Sequence, residues 1–232
     1  MESIIRNKIL EKIRTVFDEV AIEGHLQGSM ARGNTDQYSD IDIWLTFRDE
    51  NFVAIKESRF EYYRKVGEIV HICEPPQNRP IGGIFSSVIY KIETRLLVVD
   101  YVLCPFSTSF RTDDYKYLFG NIELPVGQFK YNPEKVLVSE TYRLDFMISI
   151  INGSIKKLLR GEGNALKLLI GEYNNLKNQY GIIVEDLMTV DDTFTTLGDV
   201  IQKVKKISTK KQQDALIEIE KSINSFQSIR EN

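Results

Sequence analysis

Between Gln27 and Phe47 the chain reads QGSMARGNTDQYSDIDIWLTF. Its last eight residues alternate, with Ile41, Ile43 and Leu45 on one face of an extended segment and Asp40, Asp42 and Trp44 on the other. That is a strand pattern carrying carboxylates, although Asp is a poor strand former and charged groups rarely sit near a core without partners. Two positions apart on one strand, Asp40 and Asp42 leave the same face, with Cα atoms roughly 6.5–7 Å apart. Carboxylates that close repel one another unless a cation neutralises them. The segment therefore calls for a β-strand whose acidic face meets a cation.

A third carboxylate lies downstream. The segment RLLVVDYVLC, Arg95–Cys104, is apolar except for its ends and Asp100 in the middle, and an Asp among Leu97, Val98, Val99 and Val102 needs a partner. If this strand lies beside Asp40–Phe47, three carboxylates surround one point, the layout for two-metal phosphoryl or nucleotidyl transfer. Hard oxygen ligands suit Mg²⁺, which keeps waters and binds substrate phosphates. Gly28 and Ser29 supply the complementary half. Glycine lets the backbone approach a phosphate, and a short helix beginning near Met30 aims free N–H groups at an anion. The Ser29 hydroxyl and Arg32 add a hydrogen bond and a charge, and Gly33 is expected to end the turn in a left-handed conformation. Against this stands a plainer alternative, two surface aspartates beside a polar loop. The Gly-Ser turn, the spacing to Asp40, the strand context and the third Asp all favour the functional reading.

The rest of the chain divides by pattern. Ile5, Ile9, Ile13, Val16, Phe17 and Val20 recur at helical spacing, predicting a helix over about residues 2–20. Strands are expected over 21–27, 40–47, 68–74, 84–92 and 95–104, a helix over about 53–66, and a tight hairpin turn at Glu93-Thr94. The stretch Asn121–Pro133, with Pro125, Gly127 and Pro133, reads as a linker. Beyond it, residues 134–160, 163–180, 194–206 and 209–229 read as helices. The expected fold class is α+β: an N-terminal mixed sheet flanked by helices over 1–130, and a C-terminal helical bundle over 131–232.

Charge argues against a long nucleic acid as partner. Residues 1–133 carry 16 Lys/Arg against 19 Asp/Glu, and residues 134–232 carry 14 against 14. Tight binding to a polyanion needs a basic face. The cluster Lys203, Lys205, Lys206, Lys210 and Lys211 is read as a solvated helix end. Cys73 and Cys104 form no disulfide framework or CxxC site, which fits a reducing cytoplasm. No apolar run approaches membrane-spanning length.

The pattern GS(x)10DID followed by LLVVDYV resembles the signature of the DNA polymerase beta-like nucleotidyltransferase superfamily. Within it, GSMARGNTDQYSDIDIWL is similar to the lincosamide nucleotidyltransferases, and IKKLLRGEGNALKLL resembles a stretch of their helical domain and of the aminoglycoside adenylyltransferases. The resemblance implies a catalytic domain over 1–130, an acceptor-binding bundle over 131–232, and Mg²⁺-dependent transfer of a nucleoside monophosphate from an NTP, ATP foremost, to a hydroxyl of a small molecule such as an antibiotic. Two ions are expected. Gly28, Ser29, Arg32 and Ser39 are the implied nucleotide-binding set. Asp40, Asp42 and Asp100 are the implied metal ligands, with Asp100 completing the triad or acting as base. A homodimer is expected, since small enzymes of this type often build the acceptor cleft between subunits. A toxin–antitoxin-type nucleotidyltransferase acting on a protein or tRNA, and a non-catalytic nucleotide-binding regulator, are the alternatives.

Lincosamide enzymes place a glutamate soon after the third-carboxylate strand. This chain has CPFSTSF, Cys104–Phe110, with no carboxylate there. The base must then be Asp100 or come from elsewhere. Asp145, in the apolar run LDFMISII, is one candidate, since burial would raise its pKa toward that of a general base. Glu140, in line with Leu144, Met147 and Ile151, is the other. His25, His71, Trp44 and Tyr38 are expected to pack or lie on the surface, and Arg160-Gly161-Glu162 to form an interhelix turn.

Overall fold

The computed structural model describes residues 2–120, 122–129, 140–178, 181–187, 191 and 193–230. The chain forms two compact units, Met1–Val136 and Leu137–Asn232.

The first unit opens with α1, Glu2–Phe17, whose Ile5, Ile9, Ile13 and Phe17 make one buried stripe. It stops short of Val20 because the chain turns at Phe17, whose carbonyl accepts from the N–H groups of both Val20 (3.0 Å) and Ala21 (2.8 Å). There follow β1 (Glu23–Gln27), α2 (Gly28–Arg32), β2 (Ile41–Phe47) and α3 (Asp49–Val66). α3 begins four residues before the expected position. Asp49 and Glu50 occupy its first turn, where negative charge complements the helix dipole. β3 (Glu68–Cys73), β4 (Ile84–Ile92), β5 (Arg95–Pro105) and β6 (Lys116–Gly120) complete the unit.

The six strands form one sheet in the order β3-β4-β5-β2-β1-β6. β2 and β5 run parallel, and every other neighbouring pair is antiparallel. The β4–β5 hairpin closes through Glu93-Thr94, with Ile92 opposite Arg95. Glu93 takes φ 58 there, a position usually given to Gly or Asn. β6 has no counterpart in the sequence reading. It is a five-residue edge strand with one buried side chain, Phe119, too short and polar to show an alternating pattern.

The two faces of the sheet have different duties. Ile41, Ile43, Leu45, Val99, Tyr101 and Leu103 point into the main core, where α1 and α3 contribute Ile9, Ile13, Phe17, Phe52, Tyr63 and Val66. The opposite face carries the alternate residues. Trp44, Val102 and Cys104 are buried there under Phe85, Phe110 and Phe129. Trp44 is thus a core residue, and His25 and His71 are buried as well. Both cysteines are buried, and neither is in a disulfide.

The second unit comprises α4 (Glu140–Arg160), α5 (Lys167–Asn178), α6 (Phe194–Ile207) and α7 (Lys210–Arg230), with α4 packed against the other three. Gly161, at φ 70, ends α4. The linker and helix expected over 130–139 lie outside the described residues. One expectation fails: Lys203 is not part of a solvated helix end but is buried against Asp199, 2.6 Å away, four residues earlier on α6. Lys205 pairs with Glu220 (2.5 Å), Lys206 with Glu185 (2.6 Å) and Lys210 with Asp214 (2.8 Å), so four of the cluster's five lysines sit against a carboxylate. No helix among the described residues is long and apolar enough to cross a membrane.

Candidate active site

The parallel pairing of β2 and β5 sets Asp42 opposite Asp100. Adjacent strands lie about 4.8 Å apart, so two carboxylates leave the same face of the sheet side by side. β1 flanks β2 on the other edge, in a register that sets Gln27 opposite Asp42. The chain then turns sharply at Gly28 into α2.

Gly28 is bound to this place for two reasons. Its φ of 62 lies in the left-handed region, and a Cβ built on it would collide with the Asp42 carboxylate. The turn and the carboxylate are therefore in contact. We expect Gly28→Ala to cost about 1–3 kcal/mol of stability from backbone strain, before any shift of Asp42. A thermal melt equal to the parent's would refute this. At the other end of α2, Gly33 takes φ 73, the expected left-handed cap, and its N–H bonds to the Ser29 carbonyl. Ser29 lies half-buried at the start of the helix, one residue past Gly28.

Gln27, Gly28, Asp42 and Asp100 line a cavity of about 310 Å³. Ile43, Asn78, Phe85, Val102 and Phe129 complete its wall, and four of these five are apolar. Gln27, Asn78, Phe85 and Phe129 were not singled out from the sequence. Asn78 ends a short 3₁₀ turn, Pro76–Asn78, and Phe129 comes from the segment read as linker. No periodicity marks either one. Gln27 was visible only as a strand end next to the Gly-Ser turn.

The remaining expected residues are distributed as follows. Asp40 stands half-buried just before β2, in the field of Arg6 on α1. Burial pushes the Arg6 guanidinium down in pKa, while Asp36 and Asp40 pull it up. Arg6 also donates to the Asp36 carbonyl. Ser39 is buried, and its hydroxyl is used within the loop: it donates to Asp36 Oδ1 (2.8 Å) and accepts from the Asp36 N–H (2.9 Å). Arg32, at the exposed end of α2, pairs with Asp114 (2.5 Å). Asp114 titrates below its usual range through its bonds to Thr112 and Arg32. In the second unit Asp145 is half-buried, beside the buried Leu144, Met147 and Ile148, and accepts a hydrogen bond from Gln212 of α7 (2.9 Å). Glu140 begins α4, and its side chain lies outside the described residues.

Among the described residues no three His, Cys, Asp or Glu side chains form a ready cage for an ion. Two carboxylates, Asp42 and Asp100, line the cavity, and Asp40 lies in the field of Arg6. Hard oxygens from two registered strands, beside a glycine turn that a Cβ would fill, fit a Mg²⁺ ion that keeps several waters and takes further ligands from phosphate.

Residues 6–114 match the family model of the nucleotidyltransferase domain. No curated protein gives a significant match. Among solved structures, the chain is similar to a CdnE cyclic dinucleotide synthase of Elizabethkingia meningoseptica determined with GTP and Apcpp. Identity is 17% over 94% of this chain and 89% of that one, with a TM-score of 0.30.

Proposed function

The chain carries a nucleotidyltransferase domain over residues 6–114 and is an enzyme of nucleotidyl transfer; from that premise we propose that it moves a nucleoside monophosphate, AMP foremost, from an NTP to a hydroxyl of a small acceptor such as an antibiotic. The observation that carries the reading is the registered pair Asp42 and Asp100, in a cavity wall shared with Gly28.

Asp42 and Asp100, with Asp40 at the strand entrance, would hold Mg²⁺. When bound, the metal supplies charge neutralisation along the triphosphate and at the departing pyrophosphate. The remaining work falls to the chain. Gly28, having no Cβ, lets the Asp42 carboxylate close on the turn, and the Ser29 hydroxyl donates to a phosphate oxygen. Phe85, Val102 and Phe129 exclude water from one side of the cavity. A carboxylate removes the acceptor's proton as its oxygen bonds to the α-phosphorus and the bond to the β-phosphate oxygen breaks. Asp145 is the proposed base, Glu140 and Asp100 the reserves. Arg32 and Ser39 act through the loop between α2 and β2, where each has a partner within the fold.

The test is pyrophosphate release from each of the four NTPs with Mg²⁺ across a panel of hydroxylated antibiotics and metabolites. Acceptor-dependent release with one NTP supports the reading. Tight NTP·Mg binding with no release against any acceptor would turn it toward a regulator. Ser29→Ala removes one hydrogen bond to a charged group, worth about 1.5–3 kcal/mol, so NTP·Mg affinity should fall roughly 10- to 100-fold by calorimetry. Unchanged affinity would reduce Gly28-Ser29 to a turn.

A further inference from the structure

Behind the cavity, on the same face of the sheet, β1 carries a buried chain of polar side chains that nucleotidyl transfer has not yet used. Glu23 and His25 are both fully enclosed. His25 Nδ1 lies 2.9 and 3.1 Å from the two Glu23 carboxylate oxygens. Thr46 donates to the same carboxylate (3.2 Å), and the Tyr115 hydroxyl bonds to it as well. On the far side of the ring, His25 Nε2 faces the Gln27 amide nitrogen at 3.3 Å. The ring cannot turn freely, since it stacks on Trp44 (centroids 5.9 Å apart, planes at 12°) and lies 4.7 Å from Tyr115.

The contacts as they stand fit one tautomer: Nδ1 carries the proton that bonds to the Glu23 carboxylate, which accepts. Nε2 then offers its lone pair to the group facing it, the Gln27 –NH2, which only donates. The amide nitrogen is thus committed to His25. The carbonyl oxygen Oε1 is left for the cavity that Gln27 lines, at the position opposite Asp42. A Gln without this tether would rotate between its two ends, presenting donor and acceptor alternately.

We propose that Gln27 is a positioning residue of the transfer site, held by Glu23 and His25 so that its Oε1 accepts a hydrogen bond from a water of the hydrated divalent cation beside Asp42. The proposal rests on Asp42 being a cation ligand. An acceptor oxygen next to a carboxylate suits a metal-bound water, which is a strong donor, and outer contacts of this kind orient the inner ones. It also explains a polar residue at a strand position whose neighbours on the same face, His25 and Trp44, are fully buried.

The test uses the full chain and Mn²⁺ as probe. The chain has two histidines, so long-range imidazole ¹H–¹⁵N spectra contain two signal sets. His25 is expected to carry its proton on Nδ1; a proton on Nε2 overturns the proposal, because Gln27 would then be the acceptor. Gln27→Met, similar in length and without hydrogen bonds, should weaken Mn²⁺ binding roughly tenfold in the presence of a non-hydrolysable ATP analogue. Equal Mn²⁺ affinity overturns it. Asp42→Asn is run in parallel. If Asp42→Asn lowers Mn²⁺ affinity and Gln27→Met does not, only the role of Gln27 fails. If Asp42→Asn leaves affinity intact, the cation site itself is misassigned and the proposal falls with it. The tautomer is read on the unaltered protein, so it stands even if a variant does not fold.

Discussion

Asp42→Asn should lower pyrophosphate release by roughly 10³-fold or more while leaving the fold intact. The carboxamide keeps the shape of the carboxylate, so the contact with Gly28 and the β2–β5 register need not change. What goes is the negative charge that anchors a cation beside the α-phosphate, and removing one preorganised electrostatic partner commonly costs 10²–10³-fold. Loss of a metal ligand adds to that. Stability in metal-free buffer should stay level or rise, because the substitution relieves repulsion between Asp42 and Asp100. Asp100→Asn should behave alike on both counts. Normal turnover in Asp42→Asn would remove the β2–β5 pair from the chemistry altogether.

The second large effect is expected at Asp145. A general base contributes roughly 10²–10⁴-fold, so Asp145→Asn should lower kcat by that factor with NTP affinity nearly unchanged. The substitution is mild for the fold, since the Asn carbonyl can still accept from Gln212 as the carboxylate does. Glu140→Gln should then be near neutral. If kcat survives Asp145→Asn and falls in Glu140→Gln, the base lies five residues earlier on α4. If it survives both, Asp100 is left to take the proton.

The sheet was legible where side-chain alternation and function coincide. Asp40–Phe47 and Arg95–Cys104 declare themselves as strands because Ile, Leu and Val alternate with, or surround, the carboxylates. Their adjacency could only be posed as a condition, since strand pairing is a property of tertiary structure. β6 was lost because an edge strand with one buried residue has no pattern to read. The left-handed cap at Gly33 was legible because glycine has few rivals at such a position. The loop polar groups were not. Ser39 answers to Asp36, three residues away, and Arg32 to Asp114, 82 residues away, and neither partner is marked by composition. Asn78, Phe85 and Phe129 reach the cavity from three separate segments, a convergence that spacing cannot encode. Lys203 reads as a surface charge until Asp199 and the neighbouring helices enclose it.

The lone parallel pair among the described strands also bears on how the first unit comes together. Antiparallel neighbours can zip from a short turn, as β4 and β5 do around Glu93-Thr94. β2 and β5 cannot, because parallel strands need a long crossover. α3, β3 and β4 must be traversed before Asp100 can settle beside Asp42. The acidic pair is therefore a long-range closure, costly in loop entropy and electrostatically uphill at the moment it forms. A nascent or truncated chain ending before Arg95 holds Asp42 and the Gly28 turn but has no β5 to set Asp100 beside them. The site cannot be half-built: it exists only in a molecule whose central crossover has already closed.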